Sequence, residues 1–384
     1  MKENGSDERS VRMIDVARLA GVSHQTVSRV VNNHPSVSPE VRERVETAIR
    51  RLRYRRHSSA RALASNRSLT IGVVSFGLAQ YGPSVILTGV VDEAKRAGYS
   101  TSLVTVADPD RDMTAAVDHL LAVPVDGIVI VAPIEAALRS ARTLHVEVPI
   151  VVFEPGADHT SGNVVTDEVS GSAAATQYLL DLGHQTVHHI AGPAGWLGTA
   201  ARIAGWTRSL EQAGVAASPA IAGDWTTASG YRAGLVIADD PEVTAVFVAN
   251  DQMALGVIKA LADRGIDVPG DVSVLGFDDV PESSFFRPAL STMHIDFDQV
   301  GRYAVTGLVS LITGHSDRVD RGVLPVLVER QSTGPPSGQR GQRGTTGTAG
   351  TRDTTGTAAT AVTGDPGTPS EPPPVIDETP RSTP

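Results

Sequence analysis

Four polar residues near the N-terminus, His24, Gln25, Ser28 and Arg29, have the side-chain chemistry and the spacing needed to read DNA bases. Residues three and four positions apart share one face of an α-helix, so these side chains would point outward together. Glutamine and arginine carry paired hydrogen-bonding groups that match the base edges exposed in the major groove. The pattern therefore predicts a helix face that contacts DNA.

Two short helices must position these side chains. Gly21 ends the first helix, because glycine readily adopts the left-handed conformation that follows many helix C-termini. Ser23 offers its hydroxyl as the N-cap of the second helix, which turns Val27, Val30 and Val31 inward. The inner face of the first helix is predicted to comprise Ile14, Val16, Ala17, Leu19 and Ala20. Two helices joined by a tight glycine turn make a helix-turn-helix, which presents its second helix to the major groove.

A third helix and a hinge are predicted next. Ser38 is an N-cap followed by Pro39 at the first helical position, and the apolar pattern continues to Leu52. Residues 57–68 then have helical composition with one large apolar residue, Leu63. Such a segment cannot bury a face of its own, so we expect it to be a hinge that orders only in context.

Charge is divided unevenly along the 384-residue chain. Residues 1–68 contain 14 Lys and Arg against 7 Asp and Glu, a charge of +7, and with a net charge of −10 the rest of the chain carries −17. A basic module on an acidic body is typical of a protein in which one domain binds a polyanion. Cysteine is absent, which excludes disulfides and thiolate metal sites, and no apolar run predicts a membrane span or a secretory signal. We expect a cytoplasmic, nucleoid-associated protein.

From residue 69 onward, short β-branched segments alternate with helical segments. This alternation predicts parallel sheets with right-handed crossovers, and the number of strands favours two small doubly wound subdomains over one sheet. The predicted strands cover residues 71–74, 103–106, 128–131, 150–153, 187–191, 245–248 and 272–275. The predicted helices cover residues 84–97, 111–122, 168–182, 200–213, 228–239 and 251–264.

The composition changes again after Gln331, where Gly, Thr, Pro and Ser dominate. Residues 334–384 hold few large apolar side chains, so we expect them to be disordered. They also lack the apolar heptads of a coiled coil, which excludes a tetramer built through a C-terminal helix. The predicted organisation is a disordered N-terminus (1–11), a helix-turn-helix domain (12–56), a hinge helix and linker (57–68), a body (69–332) and a disordered tail (333–384).

These features together resemble the lactose/galactose-repressor (LacI/GalR) family of bacterial transcription regulators, and within it the lactose branch. The motifs that carry the resemblance are Val-Ser-His-Gln-Thr-Val-Ser-Arg-Val-Val-Asn at 22–32, Gly-Asp-Trp-Thr-Thr-Ala-Ser-Gly at 223–230, Val-Ala-Asn-Asp-Gln-Met-Ala-Leu-Gly at 248–256 and Gly-Phe-Asp-Asp at 276–279. The resemblance implies an α/β protein with an all-α DNA-binding domain, a hinge helix and a periplasmic-binding-protein-like body of two doubly wound parallel sheets. It also implies a homodimer that binds double-stranded DNA at a pseudo-palindromic operator.

The resemblance implies further DNA contacts. Leu63 matches the leucine that a hinge helix wedges between base pairs in the minor groove, with His57 and Ala60 in the same hinge. Arg12 stands where the family usually has a capping threonine; arginine cannot cap through a side-chain oxygen, but it can bind a phosphate. The matched phosphate-contacting positions are Ser23, Thr26, Ser28, Asn32, Ser38 and Tyr54.

The resemblance also implies a cleft that closes around a small sugar-like effector. Trp225 matches the aromatic residue that stacks on the sugar, and Arg202, Asn250 and Asp278 match the set that binds its hydroxyls. The other residues aligned with this cleft are Phe76, Gln80, Glu154 and Phe297. The chain differs from the lactose branch around the cleft at Phe76, Gln80, Val131, Glu154, Gly198 and Ile295, so the identity of the sugar stays open.

Two other functions stay open: the same fold responding to a non-sugar ligand such as a purine, and a solute-binding protein for transport. The DNA-binding module opposes the second. An enzyme is not predicted, because the chain has neither a dinucleotide-binding glycine motif nor a P-loop, and no cofactor is implied. No metal site is predicted at His184, His188 and His189, since adjacent residues of a strand point to opposite faces.

Overall fold

The computed structural model describes residues 11–31, 34–54, 67–156, 164–315 and 321–337. Its N-terminal part holds three helices, α1 (Met13–Ala20), α2 (His24–Val31) and α3 (Pro39–Leu52). One apolar residue of each helix, Val16, Val27 and Val45, is fully buried where the three helices meet. A core this small is what three short amphipathic helices can bury, and it confirms the predicted helix-turn-helix.

The predicted helix ends are confirmed. Gly21 adopts φ +64°, a conformation that residues with a Cβ atom rarely take, and its N–H bonds back to the last turn of α1. The Ser38 hydroxyl accepts a hydrogen bond from the Val41 N–H at 3.4 Å, with Pro39 in the first turn of α3. Local residue types therefore determine where these helices begin and end.

The predicted inner face of α1 is wrong at two positions. Ile14 and Leu19 are 50% and 43% exposed, whereas Val16, Ala17 and Ala20 are buried. At about 100° per residue, Ile14 and Leu19 lie roughly 110° from the centre of the buried arc. The helix is too short to bury every apolar side chain that it carries.

The rest of the described chain contains two six-stranded sheets with helices packed against them. The first has the order β11-β5-β4-β3-β1-β2, and its strands are β1 (Thr70–Ser75), β2 (Ser100–Thr105), β3 (Gly127–Val131), β4 (Ile150–Pro155), β5 (Val164–Thr166) and β11 (Arg321–Val323). The second has the order β12-β10-β9-β8-β6-β7, and its strands are β6 (His188–Ala191), β7 (Ile221–Ala222), β8 (Ala245–Val248), β9 (Ser273–Asp278), β10 (Ser291–His294) and β12 (Val326–Val328). Within the described residues, neighbouring strands of both sheets are parallel except β10 with β12.

Helices cover the sheets, as parallel strands require. They are α4 (Tyr81–Arg96), α5 (Pro109–Ala122), α6 (Glu135–Arg142), α7 (Glu168–Asp181), α8 (Leu197–Gln212), α9 (Thr227–Asp239), α10 (Asp251–Asp263) and α11 (Phe297–Ile312), with a 3₁₀ turn at Pro281–Phe285. The seven predicted strands and six predicted helices of the body are confirmed, with ends that shift by up to about three residues. Five short strands, β5, β7, β10, β11 and β12, and two helices, α6 and α11, were not predicted.

The chain passes from one sheet to the other three times, and these crossings position the site. They lie between β5 and α7, between β10 and α11, and between β11 and β12. Glu168 and Phe297 come directly after the first two crossings, at the first residues of α7 and α11. Both therefore lie where the two subdomains approach each other.

Two histidines of the second subdomain, His184 and His189, pack against structural partners. The His184 ring contacts Thr244 Oγ1 at 3.0 Å and Ser273 Oγ at 3.1 Å. His189 stacks on Phe247 with ring centroids 4.7 Å apart, and its Nδ1 is 3.0 Å from the Phe247 carbonyl. Across the residues the structure describes, no group of three potential ligands could hold a metal ion. None of the described helices is long and apolar enough to cross a membrane.

Candidate functional site

The outward face of α2 carries the predicted base-reading residues. The Ser23 hydroxyl accepts a hydrogen bond from the Thr26 N–H at 3.1 Å, which caps the helix as expected. With Val27 and Val30 buried against α1 and α3, His24, Gln25 and Arg29 are exposed together. The helix therefore offers two long polar side chains and an imidazole to a groove, on a backbone fixed by its own core.

The neighbouring helices hold α2 at a defined angle. Arg44 of α3 donates to the Ala20 carbonyl at 2.6 Å, and so closes the C-terminal end of α1 beside the turn. At the other end of α1, the Asp15 carboxylate accepts the Arg12 N–H at 2.9 Å. Arg12 contributes only its backbone to this cap and leaves its exposed guanidinium available for a phosphate. The Arg44 contact was not predicted, since it joins residues 24 positions apart.

A cavity of about 520 Å³, measured out to its open mouth, lies between the two subdomains. The lining is contributed by both subdomains and comprises Gln80, Tyr81, Gly82, Pro83, Ile86, Pro133, Phe153, Pro155, Glu168, Trp196, Gly198, Arg202, Trp225, Asn250, Asp278 and Phe297. Aromatic residues and prolines make up half of the lining, and a few polar groups converge on the second-subdomain side.

Arg202 organises those polar groups. Its Nε donates to Glu168 Oε2 at 2.9 Å and its Nη2 donates to Asp278 Oδ1 at 3.2 Å, while Nη1 donates to the Ala249 carbonyl. The guanidinium also lies 4.0 Å from the centroid of the Phe277 ring. All three charged side chains are buried. One cation is thus shared by two carboxylates inside the protein.

The environment of Asp278 and Trp225 is unusual in backbone and in electrostatics. Asp278 has φ +103° and Trp225 has φ +71°, conformations that cost energy for residues with a side chain and that cluster at functional sites. Burial raises the pKa of Asp278 to about 8, even though Arg202 opposes the shift. At neutral pH this carboxyl can therefore donate a hydrogen bond as well as accept one.

Asn250 fixes the strained tryptophan. Its side-chain oxygen accepts the Met253 N–H at 3.0 Å as the N-cap of α10, and its amide nitrogen donates to the Trp225 carbonyl at 3.1 Å. The Trp225 ring packs against Trp196 at 5.6 Å between centroids. The buried Trp225 Nε1 finds no hydrogen-bond partner among the described residues. A buried donor without an acceptor is costly, so a polar ligand group or a water would satisfy it.

Comparisons with known proteins agree with this geometry. Residues 12–57 match the model of bacterial regulatory proteins of the lacI family, and residues 176–333 match a periplasmic binding protein-like domain. The chain is 35% identical over 336 residues to the lactose operon repressor of Escherichia coli (strain K12), covering 86% of this chain and 92% of that protein. It is 33% identical over 328 residues to the transcriptional repressor PurR of Pasteurella multocida, covering 83% of this chain and 97% of the relative.

A solved structure of the lac repressor dimer bound to operator and the anti-inducer ONPF superposes with a TM-score of 0.78 and 33% identity, covering 85% of this chain and all of that one. The chain belongs to the lacI family of bacterial regulatory proteins. It is a transcriptional regulator and not an enzyme, because lacI-family proteins act by binding DNA and not by catalysis. The family assignment also confirms the predicted fold class, a helix-turn-helix domain joined to a periplasmic-binding-protein-like body.

The structure places most of the predicted lacI-family effector residues at one cavity. Its lining includes Gln80, Arg202, Trp225, Asn250, Asp278 and Phe297. Phe76 instead packs in the core beneath the first sheet, and Glu154 pairs with Arg142 at 3.1 Å. Neither of these two residues, nor the buried Ile295, is among the residues that line the cavity. Adjacent positions on a strand point to opposite sides, so placing residues by strand ends alone could not tell which side faces the cleft.

Nine lining residues were not predicted, among them Tyr81, Glu168 and Trp196. Trp196 was detectable, since it follows the predicted strand at 187–191 and ligands bind at the carboxyl ends of parallel strands. Glu168 follows the strand β5, which has three residues and carries too little pattern to predict.

The predicted DNA contacts fall into two groups. Ser28 and Thr26 are half-buried on α2, Ser38 is exposed before α3, and Tyr54 is half-buried after α3. Asn32, His57, Ala60 and Leu63 lie outside the described residues, as do residues 1–10 and 338–384 of the segments predicted to be disordered, 1–11 and 333–384. The prediction of disorder is wrong at the start of the tail, where the Thr333 hydroxyl lies 3.0 Å from the Tyr178 hydroxyl and the Gly334 N–H donates to Ser273 Oγ at 3.0 Å.

Proposed function

We propose that this lacI-family regulator represses transcription by binding a pseudo-palindromic operator as a homodimer. The observation that carries the proposal is the exposed set His24, Gln25 and Arg29 on the second helix of a matched lacI-family domain. Bidentate side chains on such a helix distinguish base pairs in the major groove. Phosphate contacts set the register, and those proposed are from Arg12, Ser23, Thr26, Ser28, Asn32, Ser38 and Tyr54.

A hinge over residues 57–68 would add minor-groove contacts from His57, Ala60 and Leu63. A leucine wedge kinks DNA by partly unstacking a base step, and the bend lets the protein contact more of the duplex. A dimer agrees with the related lac repressor structure, which is a dimer bound to operator. Operator binding would place the protein in the cytoplasm, on the nucleoid.

We further propose that a small sugar-like effector in the cavity controls DNA binding. Aromatic walls suit the apolar faces of a sugar ring, and the Arg202–Asp278 pair with Asn250 supplies donors and acceptors for hydroxyls. The unpartnered Trp225 Nε1 adds a buried donor at the same place. Because the cavity is bounded by both subdomains, occupancy can favour one relative arrangement of the two over another.

Selection of binding sites from random DNA, followed by fluorescence-anisotropy titration of the selected site, tests the DNA-binding function. A half-site repeated with two-fold symmetry is expected, and light scattering should give the mass of a dimer. Lactose, galactose, glucose, cellobiose and ribose, with hypoxanthine and guanine beside them, are then added to the complex. A sugar that changes the operator affinity supports the proposal. A response to the purines alone would replace it with the non-sugar alternative, and the absence of any selected DNA site would favour a solute-binding protein.

A further inference from the structure

The charge of the effector cavity is set by few groups. Arg202 is the sole Lys, Arg or His among the described residues that line it, and the lining also holds the carboxyl groups of Glu168 and Asp278. The guanidinium is already engaged with both carboxyl groups and with the Ala249 carbonyl. No described basic group of the lining is therefore left to receive an anion.

Glu168 is built into this arrangement by its surroundings. Thr166 Oγ1 donates to Glu168 Oε1 at 3.0 Å while Arg202 holds Oε2, so both carboxylate oxygens accept hydrogen bonds. A Cβ atom at Gly198 would come within 2.7 Å of Glu168 Oε2, so the glycine makes room for the carboxylate. The Glu168 carboxylate therefore occupies the space that a side chain at position 198 would fill.

A second lining residue, Tyr81, also adds no positive charge to the cavity. Tyr81 faces the carboxylates from the first subdomain side of the lining. Burial, followed by the nearby Asp278, Asp279 and Glu282, raises the pKa of its phenol above the ordinary value. The Tyr81 hydroxyl consequently stays neutral, and it can donate to a ligand hydroxyl but adds no positive charge.

We propose that the effector is an uncharged, hydroxyl-bearing ring compound, and that Glu168 is the specificity-determining residue that excludes its anionic counterparts. The inference rests on the proposed sugar-effector function and narrows it. Sugar phosphates and sugar acids would bring a negative charge beside the Glu168 carboxylate, whose cation Arg202 is already engaged, inside a site with little water to screen the repulsion. A neutral hydroxyl meets no such repulsion and can both donate to Glu168 or Asp278 and accept from Tyr81.

The test uses matched neutral and anionic probes and the full-length protein. Galactose is compared with galacturonate and galactose 6-phosphate, glucose with glucuronate and glucose 6-phosphate, and ribose with ribose 5-phosphate. Binding is followed by tryptophan fluorescence, since two of the chain's three tryptophans line the cavity. For a sugar that binds, we expect the affinity of the wild type for the neutral compound to exceed its affinity for the anionic partner by about tenfold or more. In Glu168→Gln, this ratio of affinities should be about tenfold smaller.

A matched control separates the site from net charge. Glu211→Gln removes the same charge from an exposed position near the end of α8, the helix that carries Arg202, and should leave the preference unchanged. Circular dichroism melting and operator affinity should show that both variants are folded. If an anionic probe binds the wild type as tightly as its neutral partner, or if Glu168→Gln keeps the full preference, the inference is wrong while the effector site stands.

If no sugar binds, the proposed sugar effector is wrong. The role of Glu168 is then tested by a measurement that needs no ligand. Iodide and acrylamide both quench tryptophan fluorescence by contact, but iodide is an anion and acrylamide is neutral. We expect iodide to quench the cavity tryptophans at least about twofold more strongly in Glu168→Gln than in the wild type or in Glu211→Gln, with equal acrylamide quenching in all three. Unchanged iodide quenching in Glu168→Gln would overturn the role given to Glu168.

Discussion

Replacing Arg202 with methionine should destabilise the body strongly, because two buried carboxyl groups would lose the cation that they share. Glu168 Oε2 and Asp278 Oδ1 lie 2.9 and 3.2 Å from the guanidinium, and all three side chains are buried. Removing one partner of a buried ion pair typically costs about 3–5 kcal/mol, since the remaining charge is left without compensation. Methionine retains an apolar stem over Phe277, so the loss would come mainly from electrostatics.

The sign of the pH dependence follows from the same contacts. Burial raises the pKa of Asp278 to about 8 although Arg202 opposes the shift, so without Arg202 the folded variant holds the Asp278 proton still more tightly and its stability falls further as pH rises. We therefore expect the destabilisation relative to wild type to be largest near pH 8.5. It should shrink by at least about 1 kcal/mol near pH 6, where Asp278 is protonated.

Urea unfolding followed by circular dichroism and tryptophan fluorescence measures both quantities, with each variant compared with the wild type at the same pH. Trp206, whose Nε1 donates to the Val187 carbonyl at 2.8 Å, reports on the second subdomain. Arg208→Met is the control, because it removes the same charge from an exposed position on the same helix, α8. A loss below about 1 kcal/mol for Arg202→Met, or a loss that does not vary with pH, would refute the reasoning about the shared cation.

Three further outcomes are expected. Exchanging His24 and Gln25 should change the preferred bases in each half-site, with the binding free energy discriminating between bases by about 1–3 kcal/mol per contact. If the variant selects the same DNA sequence as the wild type, the base-reading assignment is wrong. Leu63→Ala should keep non-specific affinity but lose operator preference and DNA bending, and a circular-permutation bending assay that gives the wild-type angle would make Leu63 a linker residue only. Burial lowers the pKa of His189 to about 4, so the unfolded chain binds more protons than the folded protein between pH 4 and 6.5, and the stability should fall by up to roughly 3 kcal/mol as pH drops through that window. In melting experiments at a series of pH values, His189→Phe should flatten this dependence of stability on pH. An equally steep profile in the variant would assign the effect to other groups.

The DNA-binding module was predictable because its determinants are local. Gly21, Ser23, Ser38 and Pro39 specify helix ends through contacts within a few residues, and the structure confirms each of them. The exposed face of α2 follows from the same short-range periodicity. The sequence shows the apolar residues of α1 but not the direction from which its neighbours pack, and this is why Ile14 and Leu19 were placed wrongly on the inner face.

The body was predictable in class but incomplete in detail. A strand such as β3, Gly-Ile-Val-Ile-Val, is a fully buried run of β-branched residues, which a sequence displays clearly. The strands β5, β11 and β12 have three residues each, and they exist because the chain crosses between sheets and pairs with edges formed far away in sequence. A helix such as α11, which follows the second crossing, breaks the simple strand–helix alternation on which the prediction depended.

The sequence by itself determined the module that reads DNA, the alternation of strands and helices, and the polar part of the cavity lining, including Arg202, Asn250 and Asp278, because these depend on local chemistry and on a recognisable set of motifs. Only the tertiary structure decided the electrostatics of the cavity. Residues 168, 202 and 278 are separated by 34 and 76 positions, yet they form one buried network. Charge neutralisation depends on distances of a few ångströms and on exclusion of water, and neither is specified until the two subdomains fold around the site.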